Sequence, residues 1–218
     1  MTSDTIRFPE QHKIFLVPRP YNPRDWDDAI LDQKTYTSRD YQNLPEGAPY
    51  QLIGGKLVMN PSPDIQHQRL SGILEYQLRS FVAEHGLGDV FDAPTDVQFS
   101  EHDVYQPDMF FISRSRMEII GTKRIQGAPD LIIEILSPST AYFDLREKYE
   151  TFELCGVREY WLVDPERKEI EIYINHNTAF SLSQKMRTTG NVSSTVLEGF
   201  AVSLDEIFSS VDTPVRQR

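Results

Sequence analysis

The sequence predicts a mixed α/β fold: a mixed β-sheet flanked by helices, preceded by an N-terminal arm and a hairpin. Three observations carry this. The order of periodic segments after Tyr50 reads as hairpin, helix, several strands, helix and more strands, which suits helices packed on one mixed sheet. Two runs, Met109 to Ile112 and Leu131 to Leu136, are almost wholly apolar and of strand length, as buried strands are. Glycines stand where the two helical patterns run out, at Gly86 and Gly156.

Residues 1–45 contain "VPRPYNPRDWDD", whose prolines interrupt any long element. An irregular arm is expected there, with a short helix at Trp26 to Leu31, and residues 46–210 are expected to form a single domain. "YQLIGGKLVMN" places two short apolar runs around Gly54-Gly55, a two-residue hairpin signal. A helix follows: Asp64 can cap it, Leu70, Ile73, Leu74, Leu78 and Phe81 recur at helical spacing, and Gly86 ends it. Strands are predicted at about Gly88 to Ala93, Asp96 to Phe99, Gln106 to Ile112 and Asp130 to Leu136. A second helix is predicted over Ala141 to Cys155. "REYWLVDPERKEIEIYIN" reads as a buried strand, a turn at Asp164-Pro165 and an alternating strand. Two more strands are expected around Thr178 to Gln184 and Ser193 to Leu197.

The chain has 218 residues, 39% of them hydrophobic and 11% aromatic, a composition that can bury a core and is unlike that of disordered chains. No apolar run reaches the ~20 residues that span a bilayer, and "MTSDTIRFPEQHK" has no signal-peptide core. The single cysteine, Cys155, excludes an internal disulfide and a cysteine-clustered zinc site. A cytoplasmic protein with no membrane partner is the expectation. A net charge of −11 argues against coating nucleic acid by bulk electrostatics, but not against meeting it at one local surface.

Glu134 lies inside the run Leu131-Ile132-Ile133-Glu134-Ile135-Leu136, where an unpaired carboxylate would be costly. Its partner can be a metal ion, a lysine on the following element, or both. Strand alternation turns Asp130, Glu134 and Leu136 to one face and Ile133 and Ile135 to the other. Asp108 precedes the buried run Met109 to Ile112. Asp144 and Lys148, spaced i, i+4, share a helix face. Carboxylates from two adjacent strands suit a hard divalent cation, Mg²⁺ or Mn²⁺, that retains some waters. A lysine beside them could orient the attacking water or stabilise charge developing on phosphorus.

"QPD", "GAPDLIIEILSPST", a "D…K…Y" pattern and "GVREYWLVDP" together resemble the family of small bacterial proteins known as Uma-type restriction endonucleases. That family is placed in the PD-(D/E)xK nuclease superfamily. The resemblance spans roughly Tyr50 to Phe208. It implies a restriction-endonuclease-like core and hydrolysis of phosphodiester bonds in DNA, or in RNA, with Mg²⁺ or Mn²⁺. Asp108 then takes the role of the PD aspartate and Glu134 that of the second acid. The superfamily lysine ordinarily falls two residues after that acid, where this chain has Leu136. The family is similar in this respect, so the role passes to Lys148. Family members also carry acids in the hairpin, as "ELIDGE", where this chain has Gln51 and Lys56.

Four further residues are candidates for supporting roles, each with a plainer alternative. His67 can serve the site or make a local bond at its helix start, and Glu75 can add a third acid or lie on the surface. Asp130 can sit behind Glu134 or cap its strand, and Asp144 can hold Lys148 or face solvent with it. Arg114, Arg116, Lys123 and Arg124 form the densest basic stretch, either a phosphate-contacting rim or a solvated face. Ser137, Ser139 and Thr140 suit a helix N-terminal cap, and Cys155 suits a packed helix end. Two other functions stay open: a nuclease-fold protein that binds nucleic acid or a protein without cutting, and a metal-free acid/base hydrolase, for which no sugar-binding aromatic platform lies near the pair. Cutting both strands of a duplex would call for a homodimer.

Overall fold

A computed structural model describes residues 35–45, 47–60, 62–137 and 141–211, together with the backbone of two short strands, β1 (Thr5–Arg7) and β2 (Lys13–Phe15), which pair antiparallel. The helix expected at Trp26 to Leu31 lies outside the described residues. α1 (Ser38–Gln42) opens with a capping box between Thr37 and Asp40. β3 (Tyr50–Ile53) and β4 (Lys56–Met59) form the predicted hairpin, in which Gly54 and Gly55 have φ of 55° and 77°. A two-residue turn with both φ positive matches the twist of its strands, and glycine reaches it without a Cβ penalty. α2 (Ile65–His85) starts at Asp64, whose side chain accepts the His67 N–H, and stops at Gly86 in the left-handed conformation.

β5 (Gly88–Asp92), β6 (Val97–Gln98), β7 (Val104–Tyr105), β8 (Met109–Ser113), β9 (Ile125–Gln126) and β10 (Leu131–Ile135) come next, with a 3₁₀ segment over Arg114–Ile119. α3 (Ala141–Leu145) and α4 (Glu147–Cys155) occupy the span where one helix is predicted, broken at Arg146. No glycine or proline marks that break, so local signals alone read straight through it. β11 (Glu159–Asp164), β12 (Glu169–Asn175), β13 (Phe180–Arg187), β14 (Asn191–Ser193), β15 (Ala201–Ser203) and α5 (Leu204–Val211) complete the chain. β7, β9, β15 and α5 are not predicted from sequence: strands of two or three residues show no alternation, and α5 offers little more than two turns of pattern.

The described strands form two main sheets rather than one. The larger has the order β13-β12-β11-β10-β8-β5 and is mixed, with β10 and β11 parallel and the other neighbours antiparallel. The smaller has the order β4-β3-β7-β6-β9. The large sheet is the middle layer. On one face Leu131, Ile133 and Ile135 of β10 pack with Leu70, Leu74 and Leu78 of α2 and Ile207 and Phe208 of α5. On the other, Ile132 of β10 and Leu162 of β11 pack with Phe152 of α4 and with Ile53, Val97 and Tyr105 of the small sheet. Tyr36, just before α1, and Tyr41 within it join a third apolar cluster on the small sheet, so this part of the expected arm packs on the domain. The parallel pair β10 and β11 requires a crossover, and α3 with α4 supplies it. That crossover lays Lys148 over the centre of the sheet.

A second buried acid shows how the far end of β11 is fixed. Glu159 is fully buried and accepts four bonds: Trp161 Nε1 at 2.6 Å on Oε1, and the Thr195 N–H, Thr195 hydroxyl and Val196 N–H at 2.7, 2.6 and 2.9 Å on Oε2. It stitches β11 to the turn between β14 and β15. Removing the acceptor strands the buried Trp161 N–H and leaves three donors of the turn unmatched, and an unsatisfied buried donor costs about 1–3 kcal/mol. Glu159→Ala should therefore lower unfolding stability by about 3 kcal/mol or more, read from urea midpoints. A loss below about 0.5 kcal/mol, the range of ordinary surface changes, would show that the network is dispensable.

Candidate active site

β8 and β10 run antiparallel with Ile133 opposite Met109, so the next pair outward is Glu134 opposite Asp108. Each acid is held by the other's strand. The Asp108 N–H donates to Glu134 Oε2 at 3.0 Å, and the Ile135 N–H donates to Asp108 Oδ2 at 2.8 Å. His67, three residues into α2, places Nε2 3.1 Å from the same Asp108 Oδ2. Both of these contacts to the Asp108 carboxylate fall on Oδ2. The Asp108 side chain is 20% exposed and that of Glu134 3%, so the pair grades from a wet edge to a dry interior.

Lys148 reaches Glu134 from α4. Its Nζ lies 2.8 Å from Glu134 Oε1 and 2.8 Å from Asp144 Oδ1, and all three groups are buried. Asp144 is anchored through its backbone, where its carbonyl accepts the Tyr160 hydroxyl at 3.1 Å. Burial alone would lower the Lys148 pKa, but the charges and hydrogen bonds of Asp144 and Glu134 outweigh it and the ammonium is held above its usual value. For Glu134 burial acts first and pushes the carboxyl well above the usual range; Lys148 pulls it back, while Asp144 and Asp108 push it further up. Burial lowers the His67 imidazole, but its hydrogen bond to Asp108 and the charges of Asp108 and Asp64 prevail and raise it. Glu134 and Asp144 thus share one ammonium, with Asp108 and His67 at the edge: three acids stand against two bases, a surplus of acid that the raised pKa of Glu134 registers.

That surplus is the fit test for a divalent cation. Among the described residues no group of three or more His, Cys, Asp or Glu is arranged to hold a metal. Mg²⁺ does not need one, since it is commonly bound through one or two carboxylates with waters and substrate phosphates completing the shell. Asp108 and Glu134 meet that requirement, and a cation beside them would offset the burial that pushes the Glu134 carboxyl up.

Residues 38–205 match the Uma2 family, described as "Putative restriction endonuclease". The chain belongs to this family. Its fold is also that of a solved protein described as a "putative nuclease belonging to DUF820 from Anabaena variabilis ATCC 29413", with a TM-score of 0.67 and 22% identity. That match covers 80% of this chain and 98% of the other. No curated protein matches the chain. Family and fold together indicate a nuclease. Leu136, two residues after Glu134, is a half-buried side chain packed in the core, while Lys148 occupies the space over Glu134. Gln51 is buried, and its side-chain oxygen accepts the Gln106 N–H at 2.9 Å. Lys56 is exposed at the start of β4. Tyr160 is the residue that sequence reading passes over: alternation along β11 turns it to the Glu134 side, but nothing in the sequence shows where its hydroxyl goes.

The remaining candidates stay apart from the cluster. Glu75 pairs with Arg79 one turn along α2 at 2.6 Å. Arg114 and Arg116 follow β8 whereas Asp108 precedes it, a separation of about 20 Å at ~3.3 Å per strand residue. Arg116 is engaged with Asp130 and the Ala128 carbonyl, and Arg124 with Gln98. Lys123 is exposed beside β9, at the edge of the small sheet. Of the cap candidates, Ser139 and Thr140 lie outside the described residues. Cys155 is exposed at the end of α4, not packed as expected. Asp130 shares a strand face with Glu134 but sits at the other end of β10, about 13 Å away. There it accepts the Ser113 N–H at 2.9 Å and bonds from Arg116 and Arg158 at 3.2 Å each. Burial raises its pKa, but these donors outweigh burial and hold the carboxyl below its usual 3.8. A depressed carboxyl contributes stability that is present above the unfolded value and lost as pH falls through the folded one. Stability should drop as pH falls below about 4, and Asp130→Asn should flatten that part of the profile in urea midpoints taken between about pH 2 and 6. An unaltered acid limb in Asp130→Asn would remove this residue from the account.

Proposed function

We propose that the chain is a divalent-metal-dependent endonuclease that hydrolyses phosphodiester bonds of DNA. The observation that supports it most is the Asp108–Glu134–Lys148 cluster with its surplus of acids over bases, within a chain of a nuclease family. Asp108, through Oδ1, and Glu134 would hold Mg²⁺ or Mn²⁺. The ion would polarise the phosphate and lower the pKa of a water. Lys148 supplies a positive charge beside the acids, aimed at charge that builds on phosphorus in the transition state. Its apolar surroundings, Ile132, Leu162 and Phe152 among them, keep the local dielectric low and make that charge count for more. His67 holds the outer carboxylate through Oδ2, so the geometry is set before substrate arrives.

Residues 46–210 act as one domain in this reading, in the cytoplasm, and two copies meet a duplex when both strands are cut. Among the described residues no helix is long and apolar enough to cross a membrane. RNA is the alternative substrate. A nuclease-fold protein that binds without cutting is favoured by the replacement of family hairpin acids with Gln51 and Lys56.

Single-turnover cleavage of single- and double-stranded DNA and of RNA with Mn²⁺ tests the proposal. Asp108→Asn and Glu134→Gln should abolish cutting, and Lys148→Ala should slow it by on the order of 10²-fold or more. Wild-type protein that binds DNA yet never cuts would favour the non-cutting reading. Cutting that survives Lys148→Ala at full rate would take the lysine out of the chemistry.

A further inference from the structure

Lys148 has two carboxylates at equal distance, and only one of them faces Asp108. Glu134 Oε1 and Asp144 Oδ1 each lie 2.8 Å from Nζ. In the structure the ammonium therefore sits on an oxygen of the acid that the proposed function gives to the cation. A divalent ion approaching Glu134 meets a positive charge already bonded there, in surroundings too dry to screen the repulsion. Either the lysine blocks the ion, or it gives up Glu134 and keeps another partner.

Asp144 is placed to be that partner. It comes from α3, on the other side of the break at Arg146, so the Asp144–Lys148 pair bridges the two helices. Its backbone is fixed independently of the lysine by the Tyr160 hydroxyl. Both Asp144 and Lys148 are buried, so a lysine released by Glu134 could not reach water without unpacking α4. Glu134 faces the ammonium from β10, and Asp144 faces it from the crossover.

We propose that Asp144 is a positioning residue: it retains Lys148 inside the site when a divalent cation takes Glu134, so that metal binding moves the lysine off Glu134 without expelling it. This rests on the reading of Asp108 and Glu134 as cation ligands. Without Asp144 the lysine would hold to Glu134 alone and compete with the ion. Without both Asp144 and Lys148 that competition would vanish.

Calorimetric titration of the full chain with Mn²⁺ on a four-member cycle tests this. Asp144→Asn should weaken Mn²⁺ binding by about 10-fold with Lys148 present, and by no more than about 2-fold in the Lys148→Met background. Equal weakening in both backgrounds would mean that Asp144 acts on the ion directly, and no weakening in either would mean that it does not hold the lysine; both overturn the inference while leaving the metal site standing. Wild-type protein that binds no Mn²⁺ overturns the metal site and the inference with it. One measurement on the unaltered chain covers an Asp144→Asn variant that does not fold. The buried Lys148 ammonium should give a ¹⁵N–¹H resonance that shifts on Mg²⁺ addition and stays protected from solvent exchange. Loss of that protection would show the lysine expelled.

Discussion

A carboxylate in the middle of a buried strand must be matched by positive charge, and Glu134 imposes that condition on everything around it. Its desolvation is severe, since it lies between apolar neighbours along β10 and under α4. The protein meets the condition only in part. One ammonium is shared between two fully buried acids, with a third acid bonded to the edge of the cluster. Buried ion pairs are weak sources of stability, because desolvation offsets much of the attraction. An arrangement so poor in stabilising return makes better sense as a site kept ready for another cation.

The fold is arranged to create this position. β10 and β11 are the one parallel pair in the six-stranded sheet, and a parallel pair needs a crossover. The crossover brings Asp144 and Lys148 across the strand that carries Glu134. The antiparallel pairing of β8 with β10 brings Asp108 opposite Glu134 and lets each backbone N–H grip the neighbouring carboxylate. α2 contributes from the opposite face, where its capped start carries His67 to the exposed end of the pair. Three separate segments therefore meet at the end of one pair of strands, each held by ordinary secondary-structure rules.

Much of this was legible in the residues. Glycine pairs and helix-ending glycines located the hairpin and α2, and the apolar runs located β8, β10 and β11. The pairing of Glu134 with Lys148 followed from the cost of burying the acid, and Asp144 from helical spacing. Other features were not legible, for physical reasons. The break at Arg146 answers to packing and carries no glycine or proline. β7 and β9 have two residues each, too few for a period. Asp130 shows the limit of face arguments: alternation correctly aligned it with Glu134, but could not say that four residues along a strand would hand it to Arg116 and Arg158 instead. The basic residues after β8 show the same limit, since a charge run in sequence does not reveal that Arg116 and Arg124 bond internally.

The central claim is that Asp108 and Glu134 form a divalent-cation site from which Lys148 yields. Anomalous diffraction from a Mn²⁺-soaked crystal addresses it most directly. The account predicts one strong peak within about 2.0–2.3 Å of oxygens from both acids, the range of hard divalent ions on carboxylates, with Lys148 Nζ moved off Glu134 Oε1. A saturated soak that places Mn²⁺ elsewhere, with Lys148 still bridging Glu134 and Asp144, would contradict it.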